Sequence, residues 1–169
     1  ASIRQNGSLV PLVKEKVIVY DAREEEIQAG PPHPLLVFGL LALACLVVSG
    51  LDYKRKKLSL WLDVILFGST GLVGCMLFFL WFFTDHNDSA YNFNLLWAMP
   101  THLIALVALQ RKPLWQKKYF LVIAILQGLL LITWWVLPQA LNTALIPVVA
   151  SLCLRSLLNY ALRRQAVSQ

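Results

Sequence analysis

The sequence predicts an all-α, polytopic membrane helix bundle with about five transmembrane helices. Of its 169 residues, 58% are hydrophobic and 14% are charged, with a mean hydropathy of +0.63, whereas soluble domains are about 45–50% apolar and about 25% charged. Apolar runs near the roughly 20 residues that a helix needs to cross a bilayer recur along the chain, and basic residues cluster between them. The composition argues against a soluble enzyme, a disordered tail or a disulfide-rich secreted module.

Five apolar segments are predicted to span the membrane. They cover residues 34–51, 60–83, 94–109, 119–137 and 142–158. The first contains no charge, and the second contains one carboxylate, Asp63, near its start. The third and fifth segments are the short ones, and such a segment can be tilted, re-entrant or broken. In the third, Pro100 marks a position where a break would fall.

Basic residues between the segments predict the orientation of the bundle. Three groups lie between the first and second segments, between the third and fourth, and at the end of the fifth: Lys54, Arg55, Lys56 and Lys57; Arg111, Lys112, Lys117 and Lys118; Arg155, Arg163 and Arg164. The opposite loops, 84–93 and 138–141, contain no Lys or Arg. The positive-inside rule therefore predicts an N-terminus outside the cytoplasm and a cytoplasmic C-terminus. Since topology and anionic lipid headgroups explain the net charge of +6, no nucleic-acid partner is implied.

Residues 1–33 have a different character from the membrane domain that we assign to 34–169. The stretch 10–22 has strand-like content, with Val17 and Val19 among charged residues. Because a lone strand is not stable in water, we predict that this segment ends a larger periplasmic domain and that the native chain is longer.

Polar side chains concentrate in the loop at 84–93, on the side opposite the basic groups, and at the start of the third segment. If a continuous helix begins near Asn94, then Asn94, Ala98 and His102 share one face, with His102 about 12 Å along it. Ionisable groups at such depth are costly and suggest function, and a His beside a carboxylate can act as an acid or base. The candidate residues for outer-face support or substrate binding are Asp85, His86, Asn92, Asn94, Trp97 and His102.

Simpler interpretations apply to the same residues. Thr84, Asp85 and Asn94 are typical helix caps, and Trp97 fits the aromatic belt of a membrane interface. The Asp and His residues here lack spacings typical of metal ligands. Neither a metal nor another cofactor is predicted.

Other residues inside the segments receive structural interpretations. Three small residues of the second segment are expected to let a neighbouring helix approach closely: Gly68, Gly71 and Gly74. The three thiols are expected to pack as small apolar groups: Cys45, Cys75 and Cys153. We predict that Asp63 pairs with Arg155 or with the basic residues at 54–57, because an unpaired charge in the membrane is costly.

Residues 61–106 also resemble the membrane part of the Lnb family of Bacteroidota. The motifs that carry the resemblance are W-L-D at 61–63, F-G-x-T-G at 67–71, F-T-D-H at 83–86, N-x-N-L-L-W-A at 92–98, and Pro100. The L-P-Q-A-L-N turn at 137–142 and the leading segment before the first span also fit. The resemblance therefore extends over nearly the whole chain.

The resemblance implies the membrane part of a lipoprotein N-acyltransferase in a bacterial inner membrane, with a periplasmic N-terminus. Such an enzyme moves an acyl chain from a phospholipid donor to the α-amino group of a lipoprotein's lipidated N-terminal cysteine. Its thiol-protease-like periplasmic domain, with a Cys/His pair, has no counterpart in this sequence, so no catalytic residue is carried over. That domain would belong to a longer native chain or to a partner chain. The alternative is a non-catalytic membrane anchor, adaptor or small transporter subunit.

Overall fold

The computed structural model describes residues 2–5, 8–11, 33–84, 91–108 and 114–165, within two compact units. In the first unit, Ala1–Pro31, two strands form an antiparallel hairpin, β1 (Ser2–Gln5) and β2 (Ser8–Pro11), with Ile3 opposite Val10. Residues 10 and 11 of the stretch predicted to be strand-like lie in β2, and the rest of that stretch lies outside the described residues.

The second unit, Pro32–Gln169, is a helical bundle. Its α-helices are α1 (Pro34–Arg55), α2 (Leu60–Phe83), α3 (Thr101–Ala108), α4 (Leu114–Thr133) and α5 (Ile146–Gln165), with short 3₁₀ helices at Phe93–Leu96 and Thr143–Leu145. Four helical segments are long and apolar enough to cross a membrane, and the third is shorter. The predicted all-α membrane bundle is thereby confirmed.

Local signals explain where α1 begins and ends. Pro34 is the first residue of α1, where its missing N–H costs no hydrogen bond, and His33 Nδ1 accepts from the Leu35 N–H. Lys56 ends α1 in the left-handed conformation, with φ of 53°. The helix is therefore longer than the predicted 34–51, and its last turn contains Asp52.

The helices share burial unequally. α5 packs against both α1 and α4, and α2 packs against α3. Inside the bundle, 50% of the most apolar stretch of Thr143–Arg163 is buried, but only 11% of the corresponding stretch of α1. Large buried side chains such as Phe67, Phe120 and Leu152 fill the core. α1 is consequently the helix that offers most of its surface to lipid.

The third segment, predicted at 94–109, is broken rather than continuous, one of the alternatives that its sequence left open. The 3₁₀ helix Phe93–Leu96 ends before Trp97, residues 97–100 are not α-helical, and α3 begins at Thr101. Pro100 explains the interruption, because it has no N–H to donate and disfavours helical geometry in the residue before it. α4 is also displaced from the predicted 119–137, since it runs from Leu114 to Thr133.

Candidate functional site

The broken third span lies directly against the glycines of α2. A Cβ atom at Gly74 would overlap the Ala98 carbonyl group and would lie 2.8 Å from the Pro100 nitrogen. A Cβ at Gly71 would lie 2.9 Å from Leu103 Cγ. The packing role predicted for these glycines is therefore confirmed. The backbone at the interruption lies directly against the backbone of α2.

A side chain of α4 satisfies the carbonyl group that Pro100 leaves without a donor. In a continuous helix the Leu96 carbonyl would accept from the N–H of residue 100, which proline lacks. Gln127 Nε2 donates to the Leu96 carbonyl instead, at 3.1 Å. Irregular backbone at membrane depth persists only where protein or water supplies such partners, and Gln127 is fully buried.

His102 satisfies the next carbonyl of the interruption. Its Nε2 lies 3.2 Å from the Trp97 carbonyl oxygen, and because a carbonyl only accepts, Nε2 carries the proton. Nδ1 of the neutral ring then accepts from the Tyr119 hydroxyl at 2.7 Å, and Thr101 Oγ1 lies 3.3 Å from the same hydroxyl. Both ring nitrogens are thus engaged, which suits a positioning role better than that of a free base.

Asparagine and glutamine side chains hold the other end of the segment. Asn92 Oδ1 accepts from the backbone and side-chain nitrogens of Asn94, at 3.0 and 2.9 Å. Asn94 Oδ1 accepts from Trp97 Nε1 at 2.9 Å. Gln139, in the turn after α4, accepts from the Phe93 N–H at 2.6 Å. The turn and the 3₁₀ helix are therefore joined.

The structure links four of the six candidate residues. Asn92, Asn94, Trp97 and His102 form one hydrogen-bonded chain that passes through the Trp97 ring nitrogen and carbonyl. Asp85 and His86 lie outside the described residues. Three further side chains were not among the candidates. Tyr119 extends the hydrogen-bonded chain from His102, whereas Gln127 and Gln139 bind the backbone of the same segment at Leu96 and Phe93. The proline could have indicated one of them, because it identifies Leu96 as the carbonyl that needs an outside donor.

His102 lies deeper than expected. Its ring packs edge-on against Phe67, with centroids 5.3 Å apart. Phe67 precedes Thr84, the residue after α2, by 17 positions, or roughly 25 Å of helix at 1.5 Å per residue. His102 therefore belongs to the half of the bundle near the start of α2, whereas Asn92 and Asn94 lie toward its end.

A second polar cluster joins α1, α2 and α5 near the end of the bundle where α2 begins. Arg155 is fully buried and binds two carboxylates, through Nη1 to Asp52 at 2.8 Å and through Nε to Asp63 at 2.7 Å. Asn159 donates to the remaining oxygen of Asp63 at 3.0 Å. The predicted Asp63–Arg155 pair is confirmed. Asp52 was missed because the predicted first span ended one residue before it.

The same cluster fixes the turn between α1 and α2. The Asp52 carboxylate accepts from the Ser59 backbone N–H at 2.8 Å and from its hydroxyl at 2.6 Å. Arg155 Nη2 donates to the Ser59 carbonyl at 3.4 Å. Asp52 therefore has two roles, as a partner of the guanidinium and as the residue that closes the turn.

Chemically, the described part of the site is a polar frame around an interrupted helix. No three His, Cys, Asp or Glu side chains of the described ranges gather as a possible metal site. Cys45 is buried, and Cys153 packs with its Sγ 3.5 Å from the Ala124 carbonyl. Within those ranges Gln127 Oε1 and Trp134 Nε1 are buried without a hydrogen-bond partner. The frame can orient a segment and hold polar groups at depth.

The fold and this frame define a polytopic membrane domain built around a short, broken third span. The model of the Lnb transmembrane domain family matches residues 24–166, and the chain belongs to that family. No curated protein and no solved structure matches the chain.

Proposed function

We propose that this chain is the membrane part of a lipoprotein N-acyltransferase of the bacterial inner membrane. The observation that carries the proposal is the family match over residues 24–166. The acyl chain would come from a phospholipid, and the acceptor would be the α-amino group of a lipoprotein's N-terminal cysteine. The nucleophile would reside in a periplasmic domain, in a longer native chain or in a partner chain.

The broken third span supplies the structural support for a role beyond anchoring. A plain anchor has no need of an interrupted helix whose carbonyls are satisfied by Gln127 and His102. Polar groups inside a membrane are costly and are generally retained for function. We assign to the segment 92–102 the positioning of the preceding loop, with Asp85 and His86, where the lipid donor and the lipoprotein meet the catalytic domain.

The orientation of the bundle completes the proposal. With five spans and the positive-inside rule, the loop at 84–93 would face the periplasm. The basic residues at 54–57 then face the cytoplasm. Catalytic domain, loop and outer-leaflet lipid would consequently share one side of the membrane.

The test is lipoprotein acylation by the native, full-length protein. Asp85→Ala, His86→Ala and Asn94→Ala should each reduce the fraction of lipoprotein whose N-terminal peptide carries the additional acyl mass. Thr143→Ala is a suitable control, because Thr143 is exposed in the other 3₁₀ helix. Membrane levels of every variant are measured by immunoblot. Unchanged acylation in all three variants would contradict the proposed role and favour the anchor, adaptor or transporter-subunit interpretation.

A further inference from the structure

Exposed charge at the end of the bundle where α1 ends is entirely basic among the described residues. Asp52 and Asp63 are the only carboxylates in those ranges, and both are buried against Arg155. Five cations at this end are exposed: Lys54, Arg55, Lys56, Lys57 and Lys118. None of them forms an ion pair within the described part of the chain. The buried cluster thus removes the acidic groups from this surface and leaves the cations unneutralised.

Cations from α4 and α5 lie at the same end. Lys117 Nζ lies 5.6 Å from the centre of the Tyr160 ring. Arg163 Cζ lies 5.7 Å from the centre of the Phe120 ring. These contacts join the beginning of α4 to the last turns of α5. We call the surface formed by residues 54–57, Lys117, Lys118 and Arg163 the basic end.

The centre of the basic end is a structured turn. Lys56 adopts the left-handed conformation, and the Lys57 N–H donates to the Asp52 carbonyl at 3.2 Å. Asp52 and Arg155 hold Ser59 from the far side of the turn. The cations at 54–57 therefore occupy positions fixed by the buried cluster, which reduces the entropy that a ligand would have to remove.

Exposed aromatic rings flank this turn. Tyr53 is 57% exposed and Trp61 is 59% exposed, and Lys56 Nζ lies 4.3 Å from the centre of the Tyr53 ring. Amphipathic rings of this kind sit at the headgroup level of a membrane. Such rings beside the turn favour a position of its cations at the level of the lipid headgroups.

We propose that the basic end binds anionic phospholipid headgroups, with the turn at 54–57 as its centre. The two carboxylates of the described ranges, which could repel a phosphate, are buried in the Arg155 cluster, and the cations of the turn are held beside two interfacial rings. This site is independent of the proposed acyl transfer, because it lies at the opposite end of α2 from the loop at 84–93. It would retain phosphatidylglycerol in preference to zwitterionic lipid.

The experiment is native mass spectrometry of the purified membrane protein in an equimolar mixture of phosphatidylglycerol and phosphatidylcholine. The wild type should retain phosphatidylglycerol preferentially. Lys56→Gln combined with Lys57→Gln should reduce that preference by up to about twenty-fivefold, since each surface cation contributes roughly a factor of five. Arg4→Gln changes the charge of the other unit and should leave the preference intact. Equal retention of both lipids by the wild type, or an unchanged preference in the double variant, would overturn the proposal.

A second variant tests whether the fixed geometry matters. Ser59→Ala keeps every cation but removes the hydroxyl that binds Asp52 at 2.6 Å. We expect it to lower the preference for phosphatidylglycerol by less than the double variant does. A loss as large as that of the double variant would show that unfolding of the turn, rather than charge, controls retention and would contradict the proposal.

Discussion

Arg155 brings a positive charge into the interior of the bundle, and its surroundings explain how that charge is tolerated. Two carboxylates, the Ser49 hydroxyl and the Ser59 carbonyl all accept from its guanidinium. A buried charge is stable only when it is paired and hydrogen-bonded. The partners come from α1, α2 and the intervening turn, so one side chain of α5 ties three parts of the chain together.

Removal of this guanidinium should destabilise the bundle strongly. In Arg155→Met the volume is approximately kept, but Asp52 and Asp63 lose the charge that they bind. Breaking a buried pair costs about 3–5 kcal/mol, so we expect a clearly lower thermal transition in detergent. Lys118→Met is the control, because Lys118 is exposed and should unfold like the wild type. Equal transitions for the two variants would show that the cluster does not stabilise the fold.

Gln127 makes a smaller contribution that depends on Pro100. Gln127→Leu leaves the Leu96 carbonyl without its donor, and an interhelical hydrogen bond of this kind contributes about 0.6 kcal/mol on average. In a Pro100→Ala background the Ala N–H becomes available to that carbonyl. We therefore expect the cost of Gln127→Leu, measured by reversible unfolding, to be smaller in that background. An equal cost in both backgrounds would contradict the account of the orphaned carbonyl.

Among the helical elements, the third span packs closely against α2, whose glycines allow its backbone to approach. Three glycines of α2 face Leu106, Leu103 and the Ala98 carbonyl in turn. Pro100 predicts that a helix is interrupted near this position, but it does not indicate which neighbour satisfies the freed groups. Those contacts are long-range, from α4 and from the turn at 137–141, and a single sequence does not reveal them.

Gly74→Ala should therefore disturb the third span selectively. The added methyl group would meet the Ala98 carbonyl and the Pro100 nitrogen, which are backbone atoms and cannot rotate away. We expect a lower unfolding temperature and faster proteolysis within residues 91–108. Gly50→Ala is the matched control, because a Cβ there meets nothing within 4 Å. Wild-type behaviour of Gly74→Ala would show that close packing at this glycine is unimportant.

For the molecule as a whole, the hydropathy pattern predicted the helical bundle well, but the sequence predicted the polar frame around the third span only partly. Apolar runs located the four long helices because the bilayer requires a minimum helix length, and they indicated the shorter third segment. The cost of unpaired charge predicted that Asp63 pairs with Arg155 or with the basic residues at 54–57, and the structure has Arg155 as the partner. The depth expected for His102 held only for a continuous helix from Asn94, and the chain is interrupted before Thr101. Tyr119, which binds His102, carries no local signal that distinguishes it from other interfacial tyrosines.

In the proposed function, the membrane unit takes part in lipoprotein acylation and does more than anchor a catalytic domain. The most direct test of this role replaces residues 34–169 of the full-length protein with an unrelated single-span anchor of the same orientation. Acylation of a lipoprotein's N-terminal cysteine is then measured by mass spectrometry at matched membrane levels. We expect acylation to be lost although the periplasmic domain is present. Undiminished acylation with the unrelated anchor would contradict the proposed role of the membrane unit.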